Sequence, residues 1–386
     1  MNNERLISID ILRGICLFGI FLVNMMSFHS PILYIDPATW WQGKGDRLTF
    51  LLIDLFAQGS FYPLFALLFG FSFVLLTNKI SRKQISLTIT VVRRLLFLLF
   101  IGILHAFFIW HGDILISYAF LGFILLFFQK LSGRSLLFGG ISLYGIAVLL
   151  LCVFLFYISV REPMSEVILS NQAAIQQSLQ TYQQGTFLEI TKQRIIDWSS
   201  TNRLANIPLL LVSIFPLFLM GAGLAKLKWL EKPQQYQNRL LQVIVFSLFI
   251  GILLKSLPYI FGKNLLTMYI QDGIGGLCLA IFYGSTVIRL SANSFIQKWL
   301  TPFAIIGRMS ISNYLFQSFV STMIFYHYGL GLYGELSLPQ GTMLVLIIYI
   351  FQIILSQLWL KLFRFGPIEA IWRSITYGKE IKAKSS

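Results

Sequence analysis

The chain has 386 residues, of which 56% are hydrophobic and only 12% charged, and its formal net charge is +15. A soluble domain of this length needs more polar sequence to cover its surface, so the composition excludes a soluble protein and indicates a membrane protein. The basic residues lie between apolar runs, and no basic stripe with stacking aromatic residues indicates a nucleic-acid partner. The three cysteines lie inside apolar runs and only four histidines are present, so neither a disulfide framework nor a metal site is expected.

Apolar runs of about 20 residues, the length that crosses the core of a bilayer, recur along the chain. The first run carries Asp10 and Arg13 and lacks a small-residue cleavage site, so we expect a retained first helix rather than a signal peptide. The second run is interrupted at residues 58–60, and such breaks line a protein-buried or watery cavity. The pattern predicts an all-α, polytopic transmembrane helix bundle of about ten spans. The expected spans lie near residues 7–27, 48–77, 87–110, 113–129, 135–160, 205–225, 239–260, 265–290, 301–326 and 341–363.

The whole chain, residues 1–386, is expected to form one transmembrane domain with an N-terminal half at 1–160 and a C-terminal half at 205–386. The Gln-rich connector between them, residues 161–204, is interpreted as two short amphipathic helices that rest on the membrane or cap the bundle. A solvated connector is the alternative. The helical interpretation depends on apolar residues at helical spacing, namely Ile168, Ile175, Leu179 and Tyr182.

The charge of the loops predicts the orientation of the chain. Lysine and arginine cluster in alternate loops, and by the positive-inside rule these loops and both termini face the cytoplasm. The connector and the turn at residues 111–113 then face outward. We expect a multi-pass protein of a bacterial cell membrane, with the lipid bilayer as its main partner. The residues assigned to the cytoplasmic side are Arg5, Lys79, Arg82, Lys83, Lys130, Arg134, Lys226, Lys228, Lys232, Arg289, Lys298, Lys379, Lys382 and Lys384.

The first span carries polar residues, which are costly inside a membrane and are therefore candidates for function. Asp10, Arg13 and Asn24 fall on one helical face. Asp10 and Arg13 either pair to hold the helix against its neighbours, or Arg13 offers its charge to an anionic cytosolic ligand. Asn24 is near the outer end, where its amide can orient a substrate or donate to a developing oxyanion. His29, expected in the outer loop, is a candidate base.

The third span and the turn after it carry three titratable residues, His105, His111 and Asp113. Arg94 and His105 share a helical face and lie about 16 Å apart along the axis. The tight turn is expected to bring the Asp113 carboxylate back to His105, where it would fix the imidazole tautomer and prepare a general base. A hydrogen-bonded core histidine is the alternative. His111 is expected in the exposed part of the turn.

The ninth span carries a polar stripe. Asn313 and Gln317 are four residues apart, with Ser310 and Ser321 nearby on the same face. The stripe is typical either of contact between helices or of a cavity that binds substrate. Arg308 projects from another face near the cytoplasmic end, where it is expected to meet phosphates or headgroups.

The C-terminal segment, residues 366–379, indicates a short interfacial helix with Trp372 and Tyr377 as membrane anchors. Glu369 and Arg373 are four residues apart on it. We expect these two side chains to pair with each other.

Several motifs, in order along nearly the whole chain, resemble the YeiB family of bacterial integral membrane proteins. That family resembles a wider superfamily of transmembrane acyltransferases, which includes the lysosomal heparan glucosaminide acetyltransferase and bacterial glycan O-acyltransferases. The matching motifs are DILRGICLFGIFLVN (10–24), LFALLFG (64–70), ILHAFFIWHGDIL (103–115), GRMSISNYLFQS (307–318), FYHYGLGL (325–332) and GPIEAIWR (366–373).

The resemblance implies an acyl donor such as acetyl-CoA, taken from the cytoplasm, and a hydroxyl or amine acceptor on the other side. In the heparan enzyme an asparagine at the end of the first helix and a histidine in the following loop serve the reaction. Asn24 matches the asparagine, and His29 matches the histidine only at a shorter spacing. We therefore expect His105, hydrogen-bonded to Asp113, to be the base, and His29 is the alternative base.

Three functions remain open from the sequence. The first is a membrane acyltransferase in which a basic rim of Arg13, Arg93, Arg94 and Arg308 holds the CoA phosphates. The second is a transporter for a small solute or lipid, which the broken second span and the buried polar groups favour. The third is a non-catalytic membrane scaffold or sensor. The sequence leaves a homodimer open.

Overall fold

The apolar runs form helices in a computed structural model, which describes residues 6–161, 171–229 and 233–377. Some of the residues used above (Arg5, Ile168, Lys232, Lys379, Lys382 and Lys384) lie outside these described residues. The helices are α1 (Ile7–His29), α2 (Pro37–Trp40), α3 (Lys44–Phe56), α4 (Phe61–Arg82), α5 (Leu87–Phe108), α6 (Leu115–Phe128), α7 (Gly133–Arg161), α8 (Gln172–Gln184), α9 (Phe187–Thr201), α10 (Ile207–Ser213), α11 (Phe215–Leu227), α12 (Gln237–Lys255), α13 (Leu257–Ile260), α14 (Leu265–Tyr269), α15 (Gly276–Ser291), α16 (Ser294–Arg308), α17 (Ser310–Phe325), α18 (Leu338–Leu362) and α19 (Pro367–Tyr377).

Eight helical segments of the described chain are long and apolar enough to cross a membrane, judged by length and composition. The prediction of an all-α polytopic bundle is confirmed. The other two expected spans, at 113–129 and 301–326, correspond to the shorter α6 and to the pair α16–α17, which are not among those eight. The prediction of one continuous helix at 301–326 is wrong. The chain leaves helical geometry at Met309 (φ −116°, ψ 38°), and a separate helix, α17, begins at Ser310.

Glycines let pairs of helices approach closely. A Cβ atom at Gly70 of α4 would overlap the carbonyl oxygen of Phe218 in α11, and one at Gly221 of α11 would overlap that of Leu67 in α4. Small residues at such crossings let backbones pack without large side chains between them, as is common in membranes. The α4–α11 contact therefore depends on the absence of side chains at both positions.

The connector contains two helices, α8 and α9, as predicted. Asn171 caps α8, and Thr186 caps α9 in a capping box with Glu189. Tyr182 of α8 stacks on Tyr326 with ring centroids 4.3 Å apart. The connector therefore covers the end of the bundle, and we call this the connector end.

The turn between α5 and α6 lies below the surface of the bundle. Helix α6 has 14 residues, about 21 Å of helix against a hydrocarbon core of about 30 Å. Helix α9 packs over the end of α5, where the ring of Trp198 meets that of Phe107 at 5.2 Å. The expectation of an exposed His111 is therefore wrong: the residue is 5% exposed.

The opposite end of the bundle carries many of the basic residues, and we call it the basic end. Helix α19 lies there against α5, where the Trp372 indole donates to the carbonyl oxygen of Arg94 at 2.8 Å. Lys226 donates to the carbonyl oxygens of Gln129 and Leu131. The assignment of the basic end to the cytoplasm stays a prediction.

Glu369 does not pair with Arg373, so that expectation is wrong. Its carboxylate accepts from the backbone N–H groups of Ile311 at 2.9 Å and Ser312 at 3.1 Å, and from the Ser312 hydroxyl. The first turn of a helix has unsatisfied N–H groups and a positive dipole end, so the carboxylate is well stabilised there. Arg373 instead stacks over the ring of Phe365.

Candidate functional site

His105 and Asp113 form a buried pair where α5 turns into α6. Nδ1 of His105 lies 2.9 Å from Oδ1 of Asp113, and both side chains are fully buried. The second carboxylate oxygen of Asp113 accepts from the backbone N–H of Ile116 at 2.8 Å, in the first turn of α6. The positive end of that helix favours the anionic carboxylate. The contact expected from the tight turn is present, while the catalytic role of the pair stays a prediction.

The pair leaves one imidazole nitrogen for chemistry. A carboxylate accepts from Nδ1–H, so in the neutral ring Nε2 carries the lone pair. Nε2 of His105 is buried and has no hydrogen-bond partner among the described residues. The ring of Tyr314 lies 5.0 Å from the imidazole, and that of Trp110 lies 6.2 Å from it. This arrangement can accept a proton from a group placed at Nε2.

A small apolar cavity of about 20 Å³, room for about one water molecule, adjoins the Tyr314 ring. It extends to the start of α17 at Ser310, beside the residues that Glu369 caps. It also reaches Leu17, one helical turn from Arg13 on α1. The cavity therefore lies between the basic end and the surroundings of His105. It is lined by Leu17, Ile20, Phe65, Ile114, Leu115, Ser310, Ile311 and Tyr314.

Arg13 lies at the basic end of α1. Its guanidinium donates to Oδ1 of Asp10 at 3.0 Å, so the pair expected from the sequence is present. It also donates to the hydroxyl of Ser72 in α4. These contacts tie α1 to α4, and the side chain remains about a quarter exposed, at 26%.

Arg94, another arginine expected in the basic rim, is half-buried on α5. Its guanidinium lies over the Trp372 ring, 3.5 Å from the ring centroid, and its charge interacts with those of Arg13 and Arg373. Arg93 is exposed on another face of α5, because successive helical residues are about 100° apart. Its side chain therefore does not share the face of Arg94, and we leave Arg93 out of the proposed donor site. Arg308 ends α16 and is half-buried.

Asn24 and His29 lie at the connector end of α1. Asn24 is half-buried, one turn before Ser27, whose hydroxyl lies 3.4 Å from Nε2 of His111. His29 does not lie in a loop, so that expectation is wrong: α1 continues through it and ends before Pro31, where the helical conformation becomes unfavourable. Both nitrogens of His29 are buried without a partner in the described part of the chain. Its ring packs near Trp41 and Phe325.

Asn313 and Gln317 join α17 to α18. The Asn313 amide donates to the Ser356 hydroxyl at 3.2 Å, and the Gln317 amide donates to Oε1 of Gln352 at 3.0 Å. The Gln352 amide in turn donates to the Asn313 carbonyl at 2.9 Å. These contacts favour the helix–helix interpretation over substrate binding, since both side chains are buried and already engaged.

A buried cluster around Asp197 of α9 was missed by the sequence reasoning. The carboxylate accepts from the hydroxyls of Tyr34 at 2.6 Å and Tyr182 at 2.7 Å, and from the Gln193 amide at 2.8 Å. Burial raises the pKa of both tyrosines above the usual range, so both hydroxyls stay protonated donors. The sequence did contain a sign of this cluster. Gln193 and Asp197 are four residues apart and lie on the same helical face as the apolar Ile190, which indicates that both polar side chains are buried.

His111 lies between this cluster and α1. Its Nδ1 is 3.8 Å from Oδ2 of Asp197, and the residue is buried. Burial lowers the pKa of its imidazole below the usual value, against the opposing effect of the Asp197 charge. We therefore assign His111 a neutral ring at neutral pH.

The break in the second span meets a second polar group that the sequence reasoning missed. Lys255 is fully buried, and its ammonium donates to the Gln58 carbonyl at 2.9 Å and to Oδ1 of Asp272 at 2.8 Å. Asp272 lies in a π-helical turn, Ile270–Gly275, between α14 and α15. Such turns are frequent at functional sites. Among the described residues, no group of histidine, cysteine or acidic side chains is arranged to hold a metal ion.

Comparison with known proteins finds relatives over nearly the full length. A family described as "Protein of unknown function (DUF418)" matches residues 224–379. The chain is 35% identical over 391 residues to "Uncharacterized protein YxaH" of Bacillus subtilis (strain 168), covering 98% of this chain and 95% of that one. It is 28% identical over 388 residues to "Uncharacterized protein YeiB" of Escherichia coli (strain K12), covering 97% and 96%. A 39.9 kDa protein encoded in the amylase 3' region of Bacillus acidopullulyticus is 26% identical over 387 residues, covering 98% and 95%. No solved structure matches the chain significantly.

Proposed function

This chain belongs to the YeiB family, and we propose that it is an integral-membrane acyltransferase that uses a cytosolic acyl-CoA and an acceptor hydroxyl or amine from the other side. The observation that supports the proposal is the buried His105–Asp113 pair, whose Nε2 has no partner among the described residues. A buried polar atom left unsatisfied in a membrane bundle is costly, so it indicates a site kept for a ligand.

The pair supplies a complete proton path for acyl transfer. Nε2 of His105 takes the proton of the acceptor as the acceptor oxygen or nitrogen bonds to the thioester carbonyl carbon, and Asp113 stabilises the imidazolium that results. His105 then gives the proton to sulfur as the carbon–sulfur bond breaks. The products are the acylated acceptor and a free thiol. Asn24 is the proposed donor to the oxyanion formed in between.

The basic end is the proposed donor site. Arg13 and Arg94, with Arg373 close enough for its charge to act on Arg94, would hold phosphate oxygens by charge-assisted hydrogen bonds. Arg94 and His105 are about 16 Å apart along α5. The small apolar cavity beside Tyr314 lies along this path, and its lining would suit an acyl chain better than a charged group once the surrounding side chains move apart.

Labelled acetyl-CoA, incubated with the purified protein and with extracts of the source cells, tests the activity. We expect label to move from CoA to an acceptor with the wild type. The His105→Gln variant is expected to lose this transfer by at least about a hundredfold while keeping its affinity for acetyl-CoA. His327→Gln, at an exposed histidine, is the matched control and is expected to behave as wild type. Full transfer by His105→Gln would refute the assignment of the base.

Transport of a small solute or lipid is the second candidate function, favoured by the Lys255–Asp272 pair at the broken second span. Transporters often place ion and substrate sites where membrane helices are interrupted. Solute flux in proteoliposomes without any acyl donor, abolished in Lys255→Met, would support this function. Acyl transfer that is unaffected by Lys255→Met, with no donor-independent flux, would exclude it.

A further inference from the structure

Buried polar atoms without a hydrogen-bond partner gather at the connector end. Within the described residues they include Nε2 of His105, Nδ1 of His111, Nη1 of Arg194, the indole nitrogens of Trp110 and Trp198, and the Tyr326 hydroxyl. Buried polar groups are normally paired. Their concentration around α9 and the turn after α5 therefore indicates a polar ligand in contact with this region.

Arg194 is the most informative member of this group. Its side chain is fully buried, and it donates hydrogen bonds to neutral groups of its own helix, the Ile190 carbonyl at 3.4 Å and the Thr191 hydroxyl at 3.1 Å. Across the described ranges it forms no salt bridge, and Nη1 has no partner. A buried guanidinium without a counter-charge is expensive, so a negative group is the expected complement.

Among the described residues, Asp197 forms no direct salt bridge with Arg194. Its two oxygens accept from Tyr34, Tyr182 and Gln193. It is three residues further along α9, and its carboxylate faces that cluster and His111. Nη1 of the Arg194 guanidinium is therefore available to donate a hydrogen bond to another group.

Tyr326 places a second donor in the same group of aromatic rings as Arg194. The Arg194 guanidinium lies over the Phe187 ring, and the Tyr328 ring packs against both Phe187 at 5.7 Å and Tyr326 at 5.8 Å. The Tyr326 hydroxyl is buried and unpartnered among the described residues, and it interacts electrostatically with the Arg194 charge.

His111 connects this region to the proposed base, because its ring packs against Trp110, whose ring also packs against His105, and its Nδ1 lies 3.8 Å from Asp197. Guanidinium and phenol groups are both hydrogen-bond donors here, whereas Nε2 of His105 is an acceptor.

We propose that Arg194 and Tyr326 bind an anionic oxygen group, a phosphate or carboxylate, of the acceptor molecule. The inference rests on the proposed acyl transfer, since it assigns the acceptor class to the same site. An oxygen of the anion would accept hydrogen bonds from Nη1–H of Arg194 and from the Tyr326 hydroxyl. The acceptor's own hydroxyl or amine would then donate to Nε2 of His105. The substrate class is a small hydroxyl or amine compound that carries a negative charge.

Binding of sn-glycerol 3-phosphate, D-glycerate and glycerol to the purified full-length protein, measured by calorimetry without any acyl donor, tests this inference. We expect both anions to bind and uncharged glycerol not to bind. Arg194→Gln is expected to raise the Kd of both anions about tenfold or more, because it removes a charge-assisted hydrogen bond. Arg203→Gln, at an exposed arginine of the same connector, is the matched control and should bind as wild type.

Two further variants keep the test decisive if Arg194→Gln does not fold. Tyr326→Phe keeps the ring stack on Tyr182 but removes the hydroxyl, and a several-fold rise in Kd is expected. Arg194→Lys keeps the charge and should retain part of the affinity. Absence of anion binding in the wild type, or equal weakening by Arg203→Gln, would overturn the inference.

The outcome also separates this inference from the proposed reaction. Anion binding that survives His105→Gln, without acyl transfer by the wild type, would contradict only the proposed function. Acyl transfer to uncharged acceptors, with no anion binding, would contradict only the assignment of the acceptor class.

Discussion

At the scale of single residues, the chemistry depends on which nitrogen of His105 carries the proton. Asp113 accepts from one nitrogen and from the first turn of α6. Asp113 therefore fixes the imidazole through Nδ1, and Nε2 has no partner in the described residues. The spacing of His105 and Asp113 across a tight turn was enough to predict their contact. The sequence did not reveal that the turn is buried, because that follows from the short α6 and from the cover that α9 provides.

Asp113→Asn separates the chemical role of the carboxylate from its structural role. The asparagine oxygen can still accept from the Ile116 N–H, so we expect the melting temperature to fall by only a few degrees. The loss of the negative charge removes the support for imidazolium, and acyl transfer is expected to fall about 10² to 10⁴-fold. Turnover and thermal unfolding, measured side by side, check this. Unchanged turnover would show that the pair is structural only.

The buried His111 predicts a pH dependence of stability. Because burial lowers its pKa in the folded state, the unfolded chain binds more protons at low pH. The stability linked to this residue is fully present above the unfolded pKa of about 6.5 and is lost as the pH falls below it. Asp197 opposes the lowered pKa, whereas Arg194 and His105 add to it.

Thermal unfolding between about pH 8 and pH 5 measures this effect. We expect His111→Gln to flatten the fall in melting temperature below about pH 6.5. His327→Gln, at an exposed position, is expected to leave the profile of the wild type unchanged. A profile that His111→Gln leaves as steep as the wild type would contradict the assignment of a neutral buried ring.

At the scale of helices, hydrophobic period and length predicted eight of the ten spans, the broken second span and the two connector helices, but not the break at Met309. The polar faces of those helices were harder to predict, because their partners are far away in sequence. Tyr34 and Asp197, for example, are 163 residues apart, and Lys255 meets a carbonyl 197 residues away. An amphipathic pattern shows that a face is polar but does not identify what that face contacts.

The α4–α11 crossing gives a prediction at this scale. Gly221→Ala would push a methyl group into the Leu67 carbonyl, so we expect a destabilisation of about 1–3 kcal/mol. Gly145→Ala on α7 is the matched control, because its Cβ would meet open space. Alanine favours helix there, and stability is expected to hold or to rise by up to about 1 kcal/mol. Equal melting temperatures for the two variants would contradict the close crossing.

At the scale of the whole molecule, the proposed donor and acceptor sites lie at opposite ends of one bundle and meet near His105. The basic end carries Arg13 and Arg94, and the connector end carries Arg194. Loop charge predicted the basic end as a unit, because basic residues are repeated in every second loop. The connector-end cluster could not be predicted in the same way, since it arises only when α9 folds over α5.

Arg94→Gln tests the basic end as the donor site. The guanidinium is held over Trp372 and acts together with Arg13, so we expect the Kd for acetyl-CoA to rise about tenfold. Arg93→Gln changes the adjacent but exposed arginine and is expected to bind acetyl-CoA as the wild type does. Calorimetry on both purified variants checks the difference, and equal affinities would remove Arg94 from the donor site.

The most direct measurement places labelled acetyl-CoA at the basic end of the protein in proteoliposomes and an acceptor extract at the connector end. Vesicles are separated by orientation, and the label in the acceptor compartment is counted. We predict acylated product there with the wild type and background counts with His105→Gln. Label that stays on CoA with the wild type, while a solute crosses without any donor, would contradict the acyltransferase and favour the transporter.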